Sequence, residues 1–98
     1  MAKFILAPRA KKDLKAIAKY SKETWSTKQR NKYLLGLEKR FHWLVKNSSL
    51  GTSRDEIKEG YYSFPHDRHV IFYTISENGN INILGILGAG QSIDKYFN

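Results

Sequence analysis

The sequence predicts an α+β fold in which one antiparallel sheet packs on a helical hairpin, in the order strand, helix, helix, strand, strand, strand. Two stretches of helical period, about residues 8–24 and 27–46, are joined by so few residues that their helices must run antiparallel. The second half of the chain is rich instead in β-branched and aromatic runs separated by turn residues. At 98 residues there is room for one domain, 1–98, and a sheet buries its apolar face most simply under the hairpin.

Each element has its own signal. Lys3-Phe4-Ile5-Leu6 is a short apolar run closed by Pro8, and Pro8 suits a first helical turn, where its missing N–H costs nothing. Ala10, Leu14, Ile17, Ala18 and Ser21 recur at helical spacing, with Lys11, Lys12, Lys15, Lys19 and Lys22 on the other faces. Ser26 to Gln29 forms a capping box, and Tyr33, Leu34, Leu37, Phe41, Leu44 and Val45 then make one stripe of a second helix. It ends near Asn47, a residue that tolerates the left-handed conformation. Asn47 to Ser53 is loop by composition, and Tyr61–Phe64 is a short strand stopped by Pro65. His69–Ile75 is almost uniformly apolar, as a central strand under helices is. Asn78-Gly79 predicts a two-residue hairpin turn, Asn80–Leu87 the returning strand, and Gly88-Ala89-Gly90 its end. The tail Ser92–Asn98 has room for one helical turn.

The net charge of +8 is unevenly placed. Residues 1–50 carry 13 Lys/Arg against 3 Asp/Glu, whereas residues 51–98 carry 4 against 6, so the helical half is the basic half. Such a surface either keeps the chain soluble or steers it toward nucleic acid or an acidic protein partner. The absence of cysteine excludes disulfides and thiolate metal sites and fits a reducing cytosol. The first apolar run is too short for a signal peptide, and no segment approaches the ~20 apolar residues of a membrane span. The expectation is a soluble cytoplasmic protein without a membrane partner.

Side chains capable of chemistry do not form a recognisable motif. His66-x-x-His69 has Pro65 before it and a strand beginning at His69, which excludes helical ligand geometry, so neither metal nor cofactor is expected. His69 is expected instead to hold local structure by hydrogen bonding. Ser26, His42 and Asp55 lack the sequence context of a hydrolase triad, and Gly85, Gly88 and Gly90 lack that of a phosphate loop. Arg54, Glu56 and Lys58 alternate in sign, as a solvated edge strand does. Trp25 and Trp43 are core or hinge anchors, or interface residues if exposed.

The block Gly51-Thr52-Ser53-Arg54-Asp55-Glu56-Ile57-Lys58-Glu59-Gly60-Tyr61, followed by His69-Val70-Ile71-Phe72-Tyr73, resembles toxins of the ParE/RelE family, ParE type. So do the opening Leu6-Ala7-Pro8-Arg9-Ala10 with Asp13, Leu14 and Ile17, and Trp25 with the Tyr33-Leu34 pair. The resemblance implies a non-enzymatic toxin of a type II toxin–antitoxin system that inhibits or poisons DNA gyrase through its A subunit. A cognate antitoxin would neutralise it, and direct nucleic-acid binding is left open. The same fold carries ribosome-dependent mRNA interferases of the RelE type, the alternative reading, for which Arg54, Lys58, Tyr62 and His69 are candidates, with Arg68 and Tyr73 beside them. A toxin fold with reduced toxicity is a further alternative. Proton transfer in such a nuclease needs an acid and a base. After Leu87, where the family often has a His, this chain has Gly88-Ala89-Gly90-Gln91. Leu14, Ile17, Leu34, Leu37 and Phe41 are expected to seal against the sheet. That leaves Tyr20, Trp25, Tyr33 and Tyr96 at the margins as the antitoxin groove, with Lys11, Lys15, Lys19 and Lys22 as a steering surface.

Overall fold

The computed structural model describes residues 2–88 and 90–97, with the side chains of all of these but 21–24. The elements are β1 (Phe4–Leu6), α1 (Pro8–Thr24), α2 (Thr27–Lys46), β2 (Thr52–Ser53), β3 (Tyr62–His66), β4 (His69–Ile75), β5 (Ile81–Gly88) and α3 (Ile93–Phe97). A single 3-10 turn, Ser48–Leu50, separates α2 from β2. Both long helices fall where their periodicity put them, and Ser26 Oγ accepts from Gln29 N at the start of α2, as the capping box requires. Asn47 does end α2, but at φ −132°, not left-handed: its N–H bonds Leu44 O and its side-chain amide bonds Trp43 O.

The five strands run in the order β1-β5-β4-β3-β2. All ladders are antiparallel except the one between β1 and β5, which is parallel. Parity explains the exception. An antiparallel helix pair returns the chain to the end where β1 stopped, so β2 must run opposite to β1. Three further reversals then bring β5 back in the direction of β1. The antiparallel sheet that the sequence predicts has four strands and lacks β2, since Thr52 and Ser53 are loop by composition; one strand more inverts the last ladder.

Three further local expectations change. Strand β3 continues through Pro65, which pairs with Val70, because β2 reaches only Tyr62 and Ser63. Beyond that point β3 is an edge, where a missing N–H costs nothing. Arg54, Glu56 and Lys58 lie in a compact turn rather than an edge strand, since Ile57 N and Lys58 N both bond Arg54 O and Gly60 N bonds Asp55. The β4–β5 hairpin has a three-residue loop, with Ser76 N bonded to Asn80 O and Gly79 at φ 85°. A two-residue type I′ turn would put Asn78 at positive φ as well, and it is not there.

Strand alternation gives the sheet two covered faces. Ile71, Tyr73, Ile81, Ile83 and Ile86 meet Ala10, Ile17, Leu37, Phe41 and Leu44 of the helices. A bulge lets Leu84 slip out of register between the Tyr73–Ile83 and Phe72–Gly85 pairs, which keeps Ile83 and Ile86 on the helix side. On the other face Phe72 and Leu87 pack with Tyr96 of α3 and with Ile57, Val70 and Phe97. Tyr96 is therefore not at a groove margin: it is 7% exposed, because the second face of the sheet needed its own cover. No helix among the described residues is long and apolar enough to cross a membrane.

Candidate functional site

Strand β1 ends at Leu6, opposite Ile83, so among the described residues no strand lies beside the edge of β5 beyond that point. Its outward N–H groups are satisfied by side chains instead. Ile86 N donates to Asp13 Oδ2 at 2.9 Å and Gly88 N to Gln91 Oε1 at 2.7 Å. Tyr96 reaches round the same edge and donates its hydroxyl to Asp13, while the Arg9 guanidinium lies 3.6 Å above the Tyr96 ring. Burial first, and then the neighbouring Asp13 carboxylate, push the Tyr96 hydroxyl well above the usual tyrosine range.

Over this edge opens a cleft of about 460 Å³. One wall is the face of α1 bearing Asp13, Ala16, Ile17 and Tyr20, at helical spacings of three, one and three. The other wall is Trp25, Arg68 and His69, with Ile86, Gly88 and Gln91 beneath. Trp25 sits in the two-residue connector between α1 and α2 and packs edge-on against Tyr33 of α2, ring centres 5.4 Å apart. Arg68 lies over the Trp25 ring at 5.6 Å. Tyr33 is fixed in turn by a 2.6 Å hydrogen bond between its hydroxyl and His69 Nδ1, so His69 does hold local structure at the start of β4. Burial, followed by the charges of His66 and Arg68, lowers the His69 pKa; burial also lowers that of His66. Between these two histidines Asp67 turns the chain at φ 50°, a left-handed conformation that few residues other than Gly adopt as readily as Asp and Asn.

A second, more apolar groove of about 340 Å³ lies between β1, α1 and α2, lined by Phe4, Leu6, Leu14, Ala18, Leu34 and Phe41. Leu14 and Leu34 were expected to be sealed core. They are half-buried and open to this groove, whereas Ile17, Leu37 and Phe41 are buried.

Comparison with known proteins gives this geometry a family. Residues 4–93 match the family described as ParE toxin of type II toxin-antitoxin system, parDE. The chain belongs to the ParE toxin family. It is 26% identical over 94 residues to Toxin ParE1 of Mycobacterium tuberculosis, covering 96% of each chain. It is 28% identical over 75 residues to Toxin ParE1 of Caulobacter vibrioides, covering 76% of this chain and 78% of that one. In fold it is similar to a chain from a chromosomal ParDE toxin–antitoxin system of P. aeruginosa, at TM-score 0.76 and 16% identity, over 91% of this chain and 97% of the other.

Within this ParE fold the four ribonuclease candidates do not converge. Tyr62 pairs with Tyr73 and His69 with His66, four residues along one ladder, about 13 Å at 3.3 Å per residue. Arg54 Nε donates to Ser63 Oγ at 2.8 Å, Tyr62 stacks on Tyr73, and Lys58 stands exposed in the turn. The Tyr73 hydroxyl is committed to Ser48 O at 2.8 Å. Of the group only His69 and Arg68 reach the cleft. Ser26, His42 and Asp55 are also apart: a helix cap, a ring against Phe4, and an acceptor for Gly60 N. No group of three or more His, Cys, Asp or Glu able to hold a metal occurs among the described residues.

The antitoxin set divides. Tyr20 and Trp25 line the cleft, Tyr33 stands behind Trp25, and Tyr96 belongs to the core. Lys11, Lys15 and Lys19 are exposed on α1, and Lys15 borders the second groove; the side chain of Lys22 lies outside the described residues. Trp43 packs on Phe64 beneath Arg40, a core anchor. Sequence reading did not single out Asp13 or Arg9 for the site. The signal was there in Asp13, a carboxylate on the inward stripe of α1 between Ala10 and Ile17, where a charge needs a buried partner.

Proposed function

We propose that this ParE-family toxin inhibits DNA gyrase by binding, without catalysis, in the cytoplasm, and that a cognate antitoxin neutralises it by covering the Tyr20–Trp25 cleft. The family match over residues 4–93 carries the toxin assignment. What supports neutralisation at the cleft is its exposed aromatic wall, with Tyr20 63% exposed beside Trp25, on the basic half of the chain. A partly disordered acidic segment would gain both apolar burial and charge complementarity there, offsetting its ordering cost. The dispersal of Arg54, Lys58, Tyr62 and His69 supports a binding mechanism over RNA cleavage.

The test adds purified protein to gyrase and plasmid. Inhibited supercoiling or accumulated cleaved DNA is expected, relieved by the antitoxin. Unaffected gyrase together with cut messages in a translating extract would establish the interferase alternative. For the antitoxin, Trp25→Ala or Tyr33→Ala should weaken binding with the fold retained, measured by titration calorimetry beside thermal melts. Unchanged affinity in both would place the contact elsewhere, with the second groove the next surface to test.

A further inference from the structure

The cleft has a chemical character that a protein partner does not require. Its two sides are banked by cations. Arg9, Lys12, Ala16 and Lys19 follow one another at spacings of three, four and three on α1, so the three cations form one exposed row along the rim that Ala16 shares with the cleft. Arg68 stands on the opposite wall. Two aromatic side chains, Tyr20 on the α1 wall and Trp25 beside Arg68 on the other, line the cleft together with apolar Ile17 and Ile86 and hydrogen-bonding His69, Gln91 and Asp13.

We propose that this cleft binds single-stranded nucleic acid, taking one unstacked base against Trp25 and Tyr20 while Arg9, Lys12, Lys19 and Arg68 contact the phosphates on either side. Stacking on aromatic rings inside a positively charged groove is the general physics of single-strand binding. The volume of about 460 Å³ lies within the 300–1,000 Å³ range of small-ligand pockets. An acidic peptide would be attracted by the same cations, but an apolar anchor alone would leave unmatched the atoms that the fold does not itself engage, His69 Nε2, the Gln91 amide N–H and Asp13 Oδ1. A base edge carries donors and acceptors to meet them. The antitoxin proposed for this cleft would then exclude the strand from it. The site does not depend on gyrase being the target.

Trp25 provides the readout. Of the two tryptophans, Trp43 is packed against Phe64, so Trp43→Phe leaves Trp25 as the sole reporter. An oligothymidylate of about twelve nucleotides should quench it, with tighter binding than a duplex of equal length. Raising salt from about 50 to 200 mM should weaken binding with a logarithmic slope near −2 to −3, about 0.7 for each of three to four phosphates. By anisotropy of a labelled oligonucleotide, Trp25→Ala should lose about 5- to 150-fold and Trp25→Phe much less. Arg68→Ala should reduce the slope by about 0.7, whereas Lys46→Ala at the far end of α2, the same loss of charge, should leave it within about 0.2. Equal affinity for single strand and duplex, no quenching, or equal effects of Arg68→Ala and Lys46→Ala would overturn the proposal. So would quenching by a glutamate-rich peptide bearing one phenylalanine with none by the oligonucleotide. Neither gyrase nor antitoxin enters the assay, so its failure leaves the proposed function standing.

Discussion

Replacing Tyr96 by Phe separates a core staple from a partner contact. The ring would stay under Arg9 and against Phe72 and Phe97, at the 3.6, 6.4 and 4.9 Å separations it has now. Only the hydroxyl that donates to Asp13 is lost. A hydrogen bond to a charged group contributes about 1.5–3 kcal/mol. Asp13 keeps its bond from Ile86 N, so the carboxylate is not orphaned and the cost should fall at the lower end, about 1.5–2 kcal/mol. In a domain of this size that is a fall in Tm of about 6–16 °C. Tyr96→Ala would empty the space beside Phe72 and cost about 3–5 kcal/mol. Against a total stability of about 5–15 kcal/mol that variant risks unfolding outright, so Phe is the informative change. Melting followed by circular dichroism, with urea titration to check that the m-value is constant, measures the loss. Antitoxin affinity of the folded variant should match the parent. A Tm within about 2 °C of the parent, or a selective loss of antitoxin binding, would refute the staple.

The remaining expectations concern the same edge, the histidines and the lysine surface. Gly85→Ala should destabilise by about 1–3 kcal/mol, since a Cβ there collides with the Tyr96 hydroxyl and crowds Asp13; combined with Tyr96→Phe the two losses should be less than additive in a double-mutant melt. His66 and His69 have pKa values held below the ordinary 6.5 by burial, so the folded state prefers them neutral and the unfolded chain binds more protons. Their contribution is therefore present above about pH 6.5 and lost as pH falls through the lowered folded values; His69→Gln should flatten that decline in melts recorded downward from about pH 7. Reversing Lys11, Lys15, Lys19 and Lys22 to Glu should slow antitoxin association by about tenfold or more at low salt, and the difference should shrink at 1 M, where the Debye length is about 3 Å. An unchanged stopped-flow rate at low salt would reduce these lysines to a solvated surface.

Local chemistry was legible in the sequence because it is decided within a few residues. Pro8, the Ser26 capping box and the apolar stripes of α1 and α2 each act over one or two helical turns, and both helices stand where those signals placed them. The apolar run of β4 announced a strand between two neighbours, and it lies third of five. The same locality explains Leu37 and Phe41, central on their stripe and buried. The family block was likewise readable in full, because it is carried by residue identities along the chain.

What no local signal carried was which distant segments would share an edge. Thr52 and Ser53 have no strand pattern of their own and become β2 only because β3 offers them an edge, and that one added strand turns the β1–β5 ladder parallel. From the sequence Tyr96 reads as an aromatic at the margin of a partner groove. Its fate was decided 83 residues away by Asp13 and by the uncovered half of β5, whose N–H groups had to find partners. The cleft exists for the same reason: β1 is too short to cover β5, so Tyr20, Trp25, Arg68 and Gln91, drawn from four separate stretches of chain, close around the edge that remains. Propensity is a property of neighbours in sequence, whereas satisfying a strand edge is a property of neighbours in space.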